Sequence, residues 1–181
     1  MTRLALVLTL AAGPAFATGL EIDIAGEAEG TVTIDLFEEV APLHVAQITQ
    51  IAEQGLYDGV VFHRVIDGFM AQTGDVQFGR YGEDLSRAGM GGSELDDIPA
   101  EFSDLEFDRG VVGMARAQNP NSANSQFFIM FEPGPFLNGQ YTIVGEVTDG
   151  MDVVDAIKRG EGQNGAVIGE PDRMLAVRVT D

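Results

Sequence analysis

With 181 residues, 45% of them hydrophobic and 22% charged, the chain suits a single domain with one buried core and is too apolar to be disordered. Its formal net charge of −19 opposes approach to a phosphate backbone, and with Lys158 as its one lysine it has no basic cluster to offset this, which excludes nucleic acid as a partner. It contains no cysteine, which fits an oxidising compartment without requiring one.

Residues 1–17, MTRLALVLTLAAGPAFA, start with a basic residue at Arg3, continue with an apolar run from Leu4 to Ala12 and end small-x-small at Ala15 and Ala17. That pattern predicts a secretory signal peptide cleaved after Ala17, leaving a domain over 18–181. The apolar run is about half of the ~20 residues a spanning helix needs, so the released protein is expected to have no membrane contact. A leader of this kind on a short chain without disulfides favours the bacterial periplasm as its address.

Residues 20–24 and 31–37 alternate apolar and polar side chains and predict a hairpin of half-buried strands. Pro42 suits the first turn of a helix over 42–54, striped by Leu43, Ala46, Gln50 and Ile51 and closed by Gly55. Residues 60–66 and 69–72 read as two short strands broken at Asp67 and Gly68, which brings Arg64 and Gln72 near each other. The glycine-rich, acidic stretch 73–109 reads as one long loop. Residues 110–115 and 126–131 read as core strands joined by the polar RAQNPNSANS segment, and 141–147 as a further strand. A helix over 151–159 ending at Gly160 and a strand over 174–180 complete the chain.

About eight strands, two helices and no βαβ rhythm make the chain mostly β; an antiparallel barrel plugged by two helices removes exposed edges, although periodicity alone leaves a sandwich open.

The chemistry centres on FHRVIDGFMAQTGD, residues 62–75, where Arg64 stands within a run of Val, Ile, Phe and Met. Burying an unpaired guanidinium costs several kcal/mol, so Arg64 must be paired, exposed at the lip of an apolar cleft, or both. Gln72 and Gln126 are uncharged groups able to hold it, and SQFFIMF, Phe136, Leu137 and Tyr141 supply apolar walls. The plainer reading is a solvated arginine on a strand, with Phe128 and Met70 as ordinary core residues. His44 and His63 are too far apart for a ligand pattern, so neither a metal nor a cofactor is expected.

FHRVIDGFMAQTGD, together with GVVGMARAQNPNSANSQFFIMF downstream, resembles the two motifs of the cyclophilin family of peptidyl-prolyl isomerases, and the likeness extends over about residues 31–160. The resemblance implies a closed eight-stranded antiparallel barrel capped by two α-helices. It also implies an isomerase in which Arg64 acts on the prolyl amide, Gln72 positions it and Gln126 bonds the substrate backbone. Phe69, Met70, Phe128 and Leu137 would line the proline pocket, with Ala115, Arg116 and Ala117 along the peptide groove.

Three positions depart from the pattern of well-known members. Arg116 stands where they carry Asn, Tyr141 where many carry His, and Phe136 in place of the Trp common in cyclosporin-sensitive relatives. The implied partners are proline-containing polypeptides, with weak cyclosporin binding at Phe136, and the implied state is a monomer. The alternative is a peptide-binding or chaperone module that keeps the groove without turnover.

Overall fold

The computed structural model describes residues 18–180, and the expected leader, residues 1–17, lies outside them. Strands β1 (Gly19–Ala25) and β2 (Gly30–Leu36) form the expected hairpin, pairing Leu20 with Ile34 and Ile22 with Val32 so that alternate side chains enter one core. Helix α1 (Pro42–Glu53) follows, then the short strands β3 (Arg64–Ile66) and β4 (Met70–Thr73). Strands β5 (Val111–Met114), β6 (Phe127–Met130) and β7 (Ile143–Asp149) come next, and helix α2 (Met151–Ala156) precedes β8 (Arg173–Thr180). All pairings are antiparallel and the strand order is β3-β4-β6-β5-β7-β2-β1-β8.

The fold is mostly β with two helices, but the sheet is curled and open where a closed barrel was expected. Its ladder ends at β3 and β8, and the edges approach through an isolated bridge between Val61 and Arg173. The reason lies at the outer edge of β3, where Val65 N donates to Gly165 O at 2.7 Å and Val167 N donates to His63 O at 3.1 Å. The 165–167 segment thus takes the backbone groups that a full β3–β8 pairing would use. The expected strand 60–66 is shortened to three residues, because residues 60–62 bond elsewhere: Met174 N donates to Val60 O, Phe62 N to Asp172 O and Val61 N to Gly79 O, each at 2.8 Å.

Helix α1 begins at Pro42 and is followed by Gly55 at φ 66° as expected, yet its buried face is different. His44, Val45, Ile48, Ile51 and Ala52 point inward, while Leu43 is 53% exposed. His44 can be buried because its Nδ1 lies 2.6 Å from Glu101 Oε2, and the same carboxylate accepts from the backbone N–H groups of Leu43 and His44 at the helix start.

Helix α2 ends at Ala156, earlier than the expected stop at Gly160, because Ile157 turns to an extended conformation and enters the core. The next N–H, at Lys158, donates to the buried Asp172 carboxylate at 2.7 Å. Gly160 serves a different purpose: a Cβ there would collide with the Gly165 carbonyl, so this glycine permits a close backbone crossing.

The long 73–109 connection is ordered by a 3₁₀ turn at Leu85–Arg87 capped by Asp84 and by a bridge from Ile98 to Ala123 in the next connection. A main core gathers buried residues of both helices and most strands, among them Ile22, Ile34, Ile48 and Val154, and a second apolar cluster of Met70, Phe107, Val111, Phe128, Met130, Leu137 and Ile143 is separate from it. That smaller cluster forms the floor of the candidate site.

Candidate active site

The β3–β4 hairpin turns at Asp67 and Gly68, and its register pairs Arg64 with Gln72 and Ile66 with Met70. Directly opposed residues share one face of a sheet, so Arg64 and Gln72 project together. One strand further, Gln72 pairs with Phe128 on β6, and Phe128 pairs with Gly113 on β5. A cation, an amide and a ring are thereby set in a row by strand pairing alone.

Around this row lies a cavity of about 430 Å³ lined by Arg64, Phe69, Met70, Gln72, Ala115, Arg116, Phe128, Phe136, Leu137, Gln140 and Tyr141. Phe128 is its rigid element: its ring stacks on Phe107 at 5.8 Å between centroids and meets Tyr141 edge-on at 5.9 Å. Met70, Phe128 and Leu137 are buried, whereas Phe136 is 63% exposed and rests on Phe69 at 5.4 Å. The cavity therefore has an apolar floor and an aromatic rim, a shape suited to a small ring.

The polar side of the cavity belongs to Arg64. Its Nη1 donates to Gln72 Oε1 at 3.1 Å and its Nε donates to the Asn164 carbonyl at 3.0 Å. Among the described residues no carboxylate pairs with it. Burial lowers its pKa from the ordinary guanidinium value, with the nearby Tyr141 opposing the shift. A cation held only by neutral acceptors keeps its field available to a bound group.

Gln126 and Ala117 lie outside this cavity and line an adjoining one of about 600 Å³, which shares Gln72, Ala115 and Arg116 with it. The amide of Gln126 is turned inward: its Oε1 accepts from Gln72 Nε2 at 3.0 Å, and its Nε2 donates to Gly91 O at 2.8 Å. Arg116 stands between the two cavities, its guanidinium 4.4 Å above the Tyr141 ring. It donates to the carbonyls of Ala117 at 2.9 Å and Gln140 at 3.0 Å.

Sequence reasoning missed Gln140, the Asn164 carbonyl and the 89–92 backbone. The first follows an aromatic segment already singled out, but the other two reach the site from loops with no local signal. The histidines lie outside the polar row. His63 has both ring nitrogens buried without partners, and burial pushes its pKa down to about 4 against the opposing charge of Asp75. Among the described residues no group of three or more His, Asp or Glu side chains could hold a metal.

The family described as "Cyclophilin type peptidyl-prolyl cis-trans isomerase/CLD" matches the chain over residues 20–179. A probable peptidyl-prolyl cis-trans isomerase of Brucella suis biovar 1 is 60% identical over 154 residues, covering 83% of this chain and 78% of the relative. A crystal structure of a cyclophilin type peptidyl-prolyl cis-trans isomerase from Cryptosporidium parvum superposes with a TM-score of 0.77 at 26% identity, covering 92% of this chain and 99% of that one. A second structure of the same protein, in the presence of the dipeptide Ala-Pro, gives a TM-score of 0.76 at 27% identity over 90% and 99% of the two chains.

Proposed function

The chain belongs to the cyclophilin-type peptidyl-prolyl cis-trans isomerases, and from that premise we propose that it turns X-Pro bonds of periplasmic or secreted polypeptides by electrostatic stabilisation of the twisted amide, without a covalent intermediate. The observation that carries this reading is Arg64, held by Gln72 and the Asn164 carbonyl at the edge of an apolar cavity and free of any carboxylate partner among the described residues.

Rotation about X-Pro breaks no covalent bond, yet amide resonance sets a barrier of ~18–20 kcal/mol. In the twisted state the nitrogen regains its lone pair and no longer shares charge with the carbonyl. A guanidinium aimed at the amide gains strength only as it twists, so its contribution goes to the rate. The cavity formed by Met70, Phe128 and Leu137 grips the proline ring, with Phe69 and Tyr141 beside it. The adjoining groove of Ala115, Arg116 and Ala117 receives the residues before it. The neighbour crystallised with Ala-Pro supports this substrate class.

An acceleration of about 10⁵ corresponds to ~7 kcal/mol. One charge-assisted hydrogen bond supplies about 1.5–3 kcal/mol, and the remainder comes from desolvating the amide and holding the ring and flanking backbone in place. Cis/trans exchange on a short X-Pro peptide tests the assignment. Arg64→Ala is expected to keep its fold and lose about 10- to 100-fold in turnover, with affinity reduced less. Unchanged exchange in the folded variant would show that Arg64 is the wrong residue.

The periplasmic setting rests on the basic start, short apolar run and AFA ending of residues 1–17. Mass spectrometry of the exported protein should find Thr18 at the N-terminus. Met1 retained in a membrane fraction would overturn that part of the reading.

A further inference from the structure

Asp75 is fully buried and among the described residues forms no ion pair, yet its carboxylate accepts four backbone N–H bonds. Oδ1 takes those of Gln77 at 3.1 Å and Phe78 at 2.9 Å, and Oδ2 takes those of Gly89 at 2.7 Å and Gly91 at 3.0 Å. The second pair ties down a segment that is remote in sequence and lies against the polar row. The approach is so close that a Cβ at Gly91 would sit 2.5 Å from Asp75 Oδ1.

From Gly91 a chain of hydrogen bonds runs to the site: its carbonyl accepts from Gln126, the Gln126 carbonyl accepts from Gln72, and the Gln72 carbonyl accepts from Arg64. The two ends admit only one direction. A guanidinium can only donate and a backbone carbonyl can only accept, so each amide between them has a single orientation that leaves no like groups facing. Flipping either amide would set two donors or two acceptors against each other in a part-buried site where neither can turn to water. The direction therefore depends on the Gly91 carbonyl staying where the Asp75 carboxylate holds it.

We propose that Asp75 is a positioning residue for the reaction, acting through Gly91, Gln126 and Gln72 to hold the Arg64 guanidinium in the orientation that meets the twisted amide. This rests on the reading of Arg64 given above. Asp75→Asn turns one carboxylate oxygen, and the two N–H bonds it accepts, into an NH2 group that opposes both donors, which loosens the 89–91 backbone and weakens the constraint on both glutamines. Turnover is expected to fall about 10- to 100-fold, the scale of a misplaced catalytic group, while KM for the peptide changes little.

The test compares Asp75→Asn, Gln126→Leu, the double variant and Arg64→Ala in peptide exchange, with the NMR signal of the Arg64 Nε–H as a second readout. The proposal expects both single variants to lose turnover and broaden that signal, and the double variant to lose no more than the worse single one, because all act through one chain. Normal turnover in folded Asp75→Asn, or losses that simply multiply in the double variant, would overturn it. If Asp75→Asn does not fold, Gly91→Ala takes its place, since the added Cβ pries the same segment from the carboxylate; full turnover there overturns the proposal equally. Full turnover in Arg64→Ala would instead remove the reading on which the proposal stands.

Discussion

Phe128 occupies the space that a side chain at Gly113 would need: a Cβ there would lie 2.5 Å from Phe128 Cζ and 2.6 Å from Phe107 Cε1. The two residues are also partners in the β5–β6 ladder, so neither can move away without breaking the sheet. The absence of a side chain on β5 lets the ring lie flat against Phe107 and form the floor of the cavity beside Arg64.

Gly113→Ala should therefore push the Phe128 ring toward the cavity. Overpacking of this kind costs about 1–3 kcal/mol in stability. The displaced ring should lower kcat/KM by about tenfold, because a shift well below 1 Å already spoils the fit of a small ring. Thermal unfolding and peptide exchange on the same preparation check both effects. A variant with lowered stability and normal exchange would show that Phe128 does not set the depth of the cavity.

His63 makes stability depend on pH. Burial brings its pKa down to about 4 from the ordinary ~6.5, so between these values the unfolded chain binds a proton that the folded chain refuses. Stability is then complete above about pH 6.5, falls as the pH drops through this window and is fully reduced below about pH 4, by at most about 3 kcal/mol. The half-buried Asp23 and the exposed Asp155, whose pKa values are lowered mainly by hydrogen bonds from Arg178 and Arg109, act at more acidic pH. Urea unfolding at a series of pH values should show the slope in the wild type and a flatter one in His63→Gln. Equal slopes would locate the titrating group elsewhere.

Much of the Arg64–Gln72–Gln126 row was legible because it is local. Arg64 and Gln72 flank a turn marked by Asp67 and Gly68, so a hairpin brings them opposite each other, and the apolar run around Gln126 announces the neighbouring strand. What holds the row was not legible. Asn164 reaches Arg64 across 100 positions of sequence, and Gly91 reaches Gln126 from an acidic loop with no regular period. Misread features share one cause. The stripe of Leu43, Ala46, Gln50 and Ile51 expected for α1 omits His44, which the inner face accepts because Glu101, 57 residues away, meets its Nδ1 there. Gly160 has the composition of a helix stop but the environment of a backbone crossing. In each case the partner that decides the role is distant in the chain.

Arg116 links the segment after β5 to the turn before β7. Its guanidinium lies over the Tyr141 ring and bonds the Ala117 and Gln140 carbonyls, so it fixes one wall of the cavity without touching the Arg64 row. Arg116→Ala gives up a cation–π contact and backbone hydrogen bonds, together about 1–2 kcal/mol of ordering. The expected result is a KM raised about 5- to 30-fold with kcat nearly unchanged. Lysine should restore little, having no planar fork to span two carbonyls while lying on a ring. Exchange measured over a range of peptide concentrations separates the two constants, and a loss confined to kcat would place Arg116 in the chemistry instead.

Phe136 separates turnover from drug binding. Its ring is 63% exposed at the rim, leaning on Phe69 with an interplanar angle of 43°, whereas Met70, Phe128 and Leu137 are buried deeper in the cavity. Tryptophan at this rim would add apolar surface and an indole N–H able to meet a ligand carbonyl, and a proline already gripped from below would gain little. Phe136→Trp should therefore tighten cyclosporin binding by about 1–2 kcal/mol, the value of one neutral hydrogen bond with modest burial, or about 5- to 30-fold in Kd. Turnover of a short X-Pro peptide should stay within about twofold, since no group that meets the amide has changed. Titration and exchange on the two proteins side by side decide the matter. Equal cyclosporin affinity would mean that the ring does not face the bound ligand, and a parallel rise in turnover would mean that the rim takes part in holding the twisted amide.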